Sequence, residues 1–317
     1  MDLPSSQQGR PSDVSNLAPI VLFVYNRPEH TRRTLAALAA NPLASESDLI
    51  VYADGPRKPE HAALVEAVRT VVRGISGFRS LKLIERETNL GLAKSIIAGV
   101  STACDMFGCA IVIEDDLIVA PQFLHFMNAA LERYRDSPQV HQVSGYLFPG
   151  CEGDEHIRFL PLTTTWGWAT WQRAWSLFDK EASSIGRLRS DSGFRNRFDL
   201  NGAYDYSGMI ESQLRGAIDS WGIRWYLSVF AQGGLTVYPG KSLVENIGFD
   251  GSGTHGAGHS TLTSRMSATH DYGVNDWPRD FTIDHECMTA IEGVLRSMSH
   301  GKTKRFGIQR LKAWLKA

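Results

Sequence analysis

The sequence predicts an α/β protein: a mostly parallel sheet with helices on both faces, elaborated in its C-terminal half. Three observations carry this. Short apolar runs alternate with helix-patterned segments between residues 20 and 135. The first of them, like a strand covered on both faces, is continuously apolar rather than alternating. Polar or acidic residues follow the runs, at the sheet edge where parallel α/β sheets bind ligands.

The first run is Ile20 to Tyr25, and Asn26-Arg27-Pro28-Glu29 then opens a helix. Pro28 suits a first turn, and Leu35, Leu38 and Ala39 form the packed face. Leu49 to Ala53 is a second strand, closed by the turn signal Asp54-Gly55-Pro56. Pro59 to Val72 reads as a helix with Leu64, Val68 and Val71 at helical spacing. Leu81 to Ile84 is a third strand, followed by polar residues as far as Asn89. Gly91 to Phe107 is helical, Ala110 to Ile113 is a fourth strand, and Glu114-Asp115-Asp116 stands at its end. Pro121 to Arg135 is the next helix.

Beyond residue 140 the order is less regular. Val140 to Tyr146 alternates like a strand. Four of the eight tryptophans, Trp166, Trp168, Trp171 and Trp175, fall within ten residues. A charged stretch from Asp179 to Asp199 follows. Glu211 to Ser220 looks helical, and Trp225 to Phe230 looks like a buried helix or strand. Gly248 to His259 carries five glycines, a loop by composition. No linker interrupts this half, so residues 18–300 read as one domain, with halves at 18–140 and 141–300. Residues 1–17 are polar and expected to be disordered.

With 33 basic and 34 acidic residues the net charge is -1, which argues against a nucleic-acid binder that works through bulk positive potential. The longest apolar run is far short of the ~18 residues that a membrane-spanning helix needs. The N-terminus lacks a secretory pattern, which places the chain in the cytoplasm. Cys104, Cys109, Cys151 and Cys287 show neither a CxxC pair nor zinc spacing, and Cys104 and Cys109 read as core residues in a reducing compartment. Residues 302 to 316 carry six basic side chains and no acid, with Ile308, Leu311 and Leu315 at helical spacing. That pattern suits peripheral contact with an anionic membrane, or a solvated terminal helix docked on the domain.

Adjacent carboxylates repel, and a strand end gathers three of them most readily when a cation compensates. Mg²⁺ and Mn²⁺ are held by one or two carboxylates plus phosphate oxygens. The bland reading is a solvated acidic loop. Trp166 and Trp168, with Gly167 between them, are candidates for a wall that stacks on a sugar ring. Trp171 and Trp175, four apart, suggest one helix face packed in the core.

The motifs PIVLFVYNRP (19–28), Asp54-Gly55-Pro56, TNLGLAK (88–94) and IEDDL (113–117) together resemble the nucleotide-binding half of a GT-A (Rossmann-like) glycosyltransferase. The bacterial family 2 enzymes of surface polysaccharide assembly and the N-acetylglucosaminyltransferase I type are the nearest kinds. The C-terminal half is similar through TWGWATWQRAW (165–175), Asp219-Ser220-Trp221 and NIGFDGSGTH (246–255). The resemblance implies that Tyr25, Arg27 and Asp54 hold the base and ribose of a nucleotide. Asn89 and Lys94 would lie near the base or diphosphate, and Asp115 near the ribose or donor sugar, beside Glu114. Asp116 and His255 would ligate Mn²⁺ or Mg²⁺, with His259 the competitor for the latter role. An inverting enzyme also needs a carboxylate base. The resemblance puts it at Asp219, with Glu211 second, although Ile218 stands where the family has an acid. Helix capping is the plain alternative for Asp219.

The function this implies is metal-dependent, inverting sugar transfer from a nucleotide-sugar donor, UDP favoured, to a saccharide or lipid-linked acceptor in bacterial surface polysaccharide synthesis. The rivals are a non-catalytic carbohydrate-binding protein and a sugar nucleotidyltransferase. The latter would show a glycine-rich signature where Asn26-Arg27-Pro28-Glu29 stands.

Overall fold

The computed structural model describes residues 17–151, 155–250, 262, 266, 272 and 277–300. Its first half runs β1 (Ile20–Val24), α1 (Pro28–Ala39), β2 (Asp48–Ala53), α2 (Ala62–Arg73), β3 (Ser80–Glu85), α3 (Leu92–Phe107), β4 (Cys109–Glu114), β5 (Leu117–Val119) and α4 (Phe123–Arg133). Then follow β6 (Val140–Ser144), β7 (Arg158–Leu160), β8 (Trp168–Trp171), α5 (Gln172–Trp175), α6 (Ile185–Ser190), α7 (Ser192–Phe198), α8 (Tyr206–Leu214), α9 (Trp221–Ala231), β9 (Leu235–Tyr238), β10 (Val244–Asn246) and α10 (His285–His300).

One eight-stranded sheet spans both halves, in the order β3-β2-β1-β4-β8-β6-β9-β7. β3, β2, β1 and β4 are mutually parallel. β8 runs antiparallel to both β4 and β6, and β6 is parallel to β9. The strands that carry the polar ends thus point the same way, and their carboxyl ends share one sheet edge. A second, two-stranded sheet pairs β10 with β5 antiparallel.

Strand alternation divides the core in two. Leu22, Val24, Ile111 and Ile113 face α1, α2 and α4. Val21, Phe23, Ala110 and Val112 face α3 and Trp168, Trp175, Trp221 and Trp225 of the second half. The phase of α2 differs from the sequence reading. Val65, Val68 and Val72 are its buried residues, whereas Leu64 is 44% exposed. Val68 is common to both readings, and a short 3₁₀ turn at Pro59–His61 precedes the helix.

The second half corrects three more expectations. Trp171 closes β8 and Trp175 lies in α5, so they share no helix face and belong to different cores. Residues 215–220 are not helical; α8 ends at Leu214 and α9 begins at Trp221. The side chain of Ser220, not Asp219, caps α9 by accepting from the Ile223 amide. Cys151 and Cys287 form a disulfide across a separation of 136 residues, tying the loop after β6 to the first turn of α10. Disulfides persist chiefly in oxidising compartments, which departs from the wholly reduced cysteines expected above. Cys104 and Cys109 are free. No helix among the described residues is long and apolar enough to cross a membrane. The basic segment at 301–317 lies outside the described residues.

Candidate active site

β1 and β4 are neighbours in register, Phe23 opposite Glu114, so the residues that follow them emerge side by side. Tyr25, Arg27, Asp115 and Asp116 meet there. The Arg27 guanidinium donates from Nη2 to Oδ1 of Asp115 and, at 3.0 Å, to Oδ2 of Asp116. The Tyr25 amide donates to Asp115 at 3.4 Å, and the hydroxyl of Thr34 on α1 donates to the Asp115 carbonyl at 2.9 Å. Arg27 thus sets one positive charge between the two aspartates.

Electrostatics follow from burial and proximity. Burial alone would lower the Arg27 pKa, but Asp115 and Asp116 outweigh it and hold the guanidinium charged. At Asp115 burial dominates and raises the pKa, Arg27 opposing and Asp116 reinforcing. Glu114 is driven further. Alternation with Val112 turns it toward the α3 face, where it is buried and its Oε1 has no hydrogen-bond partner. Burial first, then the charges of Asp116 and Asp115, push its pKa well above the usual range. The triplet is thus two aspartates sharing one arginine, beside a glutamic acid held toward its neutral form.

The β2 end builds a support. Asp54 accepts from the amides of Gly55 (3.0 Å), Leu90 (2.9 Å) and Gly91 (3.0 Å), and Asn89 Nδ2 donates to the Gly55 carbonyl at 2.9 Å. A Cβ at Gly55 would lie 2.6 Å from the Thr88 backbone, so only glycine lets these loops meet. Asp54, expected to hold ribose, instead spends both carboxylate oxygens on the loop that leads into α3. Lys94 is exposed on the first turn of that helix. Tyr25, also expected at the nucleotide, shares its hydroxyl with His61 Nδ1 at 2.6 Å and accepts from the Arg57 amide at 2.9 Å.

From the second half, the β10–β5 ladder carries the chain back onto the acidic end. The Ile247 amide donates to the Asp116 carbonyl at 2.9 Å. A Cβ at Gly248 would stand 2.2 Å from Asp116 Oδ2, so this glycine lets the loop lie against the carboxylate. Two residues on, Asp250 approaches His30 Nε2 at 3.2 Å. His255 and His259 lie outside the described residues.

The other expected residues separate. Trp168 is fully buried and stacks on Trp221 with ring centroids 5.1 Å apart, Trp175 and Trp225 completing the cluster. It is a core residue with no face for a sugar. Burying a ring of roughly 200 Å² is worth about 5 kcal/mol before entropy is charged against it, which is reason enough for the tryptophans to be there. Trp166 is likewise buried, against Tyr146 and Phe249. Glu211 is held by Arg189 through two 2.8 Å hydrogen bonds, which lower its pKa and make it a poor proton acceptor. Asp219 is 63% exposed and pairs with Arg224 at 3.1 Å. It precedes α9, whose Trp221 rests on Trp168, itself opposite Val112. Asp219 thus lies toward the sheet edge at which β4 ends.

The model of glycosyl transferase family 2 matches residues 20–169, from β1 into β8. Those residues are thus similar to a glycosyl transferase family 2 domain. The strand order and the polar strand ends agree with its GT-A fold. No curated protein matches the sequence. Among solved structures, the mannosyltransferase PcManGT of Pyrobaculum calidifontis, in complex with GDP-Man and Mn²⁺, is 14% identical with a TM-score of 0.37, covering 68% of this chain and 73% of its own. TarS of S. aureus is 16% identical at 0.34, covering 52% and 30%. Glucosyl-3-phosphoglycerate synthase of Mycobacterium tuberculosis, with Mn²⁺, UDP-glucose and phosphoglyceric acid, is 13% identical at 0.30, covering 54% and 64%. No function transfers from likenesses this distant.

Sequence reasoning missed His61 and Gly248. His61 carries no local signal, since its partner Tyr25 is 36 residues away. Gly248 had one: it opens the glycine-rich stretch, read only as a loop.

Proposed function

We propose that the chain is a metal-dependent, inverting glycosyltransferase that takes a nucleotide-sugar donor, UDP favoured. Its acceptor would be a saccharide or lipid-linked saccharide, and its setting bacterial surface polysaccharide synthesis, the family 2 side of the resemblance rather than the N-acetylglucosaminyltransferase I side. The observation that carries this is the meeting of Arg27 with Asp115 and Asp116 at the ends of β1 and β4, inside the residues that the family 2 model matches.

The donor set fits a hard divalent cation. Asp116 offers carboxylate oxygen and keeps 16% of its side chain exposed. Sites for such ions use one or two carboxylates, with diphosphate oxygens completing the shell. Asp116 would hold the ion, with His255, seven residues beyond Gly248 in the sequence, the second ligand. The bound ion would supply charge stabilisation for the departing nucleoside diphosphate. Arg27 presents a planar guanidinium suited to phosphate oxygens. Asp54 and Asn89 fix the loop that would border the nucleotide, and Asp219 would take the acceptor hydroxyl proton.

The test is thermal unfolding with UDP, GDP, CMP and dTDP, each with Mn²⁺ and with EDTA. A ligand at 100 times its Kd stabilises the native state by ~2.7 kcal/mol. Stabilisation by one nucleotide, dependent on Mn²⁺ and lost in Asp116→Ala, is the expected result. No stabilisation by any nucleotide favours the carbohydrate-binding reading.

A further inference from the structure

We infer that Arg27 is the built-in counter-ion of the acidic cluster, which an incoming divalent cation must displace, so that the nucleotide opens the metal site. This rests on the metal-dependent reading above and adds to it the residue that couples metal to nucleotide. A single Arg27 nitrogen bonds both Asp115 and Asp116. With Arg27 in place the two aspartates carry one net negative charge rather than two, so a dication arriving alone gains less than it would from the bare pair and is repelled by the adjacent guanidinium.

The geometry leaves little room for both. The backbone at Gly248 closes over Asp116 Oδ2, and the same missing Cβ would be 3.1 Å from Arg27 Nη1. Loop, guanidinium and Oδ2 of Asp116 lie together, and a ligand on that oxygen has to move one of the other two. The diphosphate of a nucleotide is a competing partner for Arg27, since the planar fork matches phosphate as well as carboxylate. Moving Arg27 onto phosphate frees the Asp116 carboxylate for the cation. Metal and nucleotide then favour each other, and by linkage the coupling is reciprocal.

Mn²⁺ binding measured by electron paramagnetic resonance, with and without UDP or GDP, tests this on wild type, Arg27→Gln and Arg27→Lys. Melting curves establish that each variant is folded. Wild type should bind Mn²⁺ weakly alone and more tightly with nucleotide. Arg27→Gln should bind Mn²⁺ alone about tenfold more tightly, the loss of one charge-assisted hydrogen bond, and should lose most of the nucleotide effect. Arg27→Lys keeps the competing charge and should stay near wild type. A merely structural arginine would lower the melting temperature without raising Mn²⁺ affinity. If Arg27→Gln binds Mn²⁺ no better than wild type, while wild type still shows the nucleotide effect, the inference is wrong and the proposed function stands. If neither protein binds Mn²⁺ under any condition, both are wrong.

Discussion

Asp54→Ala separates a supporting role from a ligand-binding one. Asp54 is buried, and its carboxylate accepts from three amides, those of Gly55, Leu90 and Gly91, at 2.9–3.0 Å. Hydrogen bonds to a charged group contribute about 1.5–3 kcal/mol each, which would give several kcal/mol for the set. Leu90 is exposed and Gly91 half-buried, so water can replace part of what their amides lose. The expectation is therefore about 3 kcal/mol, or roughly 6 °C in a chain of this size. Asp54→Asn should fall between, because its amide nitrogen turns a donor toward one of those N–H groups. Melting without ligand, followed by nucleotide titration, is the assay. A variant that melts within a degree of wild type and yet binds no nucleotide refutes the reasoning, since Asp54 would then touch the ligand directly.

Four further outcomes are expected. Asp219→Asn should reduce kcat by about 10²–10⁴ in a transfer assay, as loss of a general base does, while Glu211→Gln should leave it unchanged because Arg189 already occupies that carboxylate. Gly248→Ala should leave the ligand-free melting curve near wild type but weaken Mn²⁺-dependent nucleotide stabilisation, since the new methyl meets Asp116 at its carboxylate tip. Cys151→Ser should lower stability by about 2–5 kcal/mol, and a reductant should do the same to wild type, with mass spectrometry of the unreduced protein identifying the Cys151–Cys287 link. Trp168→Ala should destabilise by about 3–5 kcal/mol through a core cavity, and Trp168→Phe by much less, with nucleotide affinity unchanged in the latter; loss of sugar binding in a fully stable Trp168→Phe would restore the stacking role.

What was legible in the sequence was local. Apolar runs and turn signals located β1, β2, β3 and β4 because each is encoded within a few residues, and the rule for parallel sheets then put Arg27, Asp54 and the acidic triplet on one edge. What was not legible was long-range pairing. That Arg27 reaches both Asp115 and Asp116 depends on β1 and β4 being in register across 88 residues. Two of the three amide partners of Asp54 are 36 and 37 residues away, so the resemblance gave it a ligand where the fold supplies backbone amides. Four tryptophans in ten residues look alike as sugar platform or core; only α3 and α9 closing on Trp168 decide between them. The Cys151–Cys287 pairing depends on where α10 docks, about which cysteine spacing is silent.

The same long-range pairing explains why the site draws on the second half. The match to the family 2 model ends in β8, yet the backbone against Asp116 comes from residues 247 and 248. β5, just three residues long, is the device that makes this possible. It follows Asp116 directly and pairs with β10, Asn246 opposite Leu117, so the ladder's register sets where the later loop meets the carboxylate. Slipping that register by one residue would turn every side chain of β10 over and put a different residue from Gly248 on Asp116. A charged substitution at Val244, buried and paired with Val119, should therefore impair metal-dependent nucleotide binding more than a comparable change on the exposed edge strand β3. Comparing Val244→Lys with Leu81→Lys by nucleotide-dependent melting makes the point measurable. Equal losses would mean that the β5–β10 ladder does not position the site.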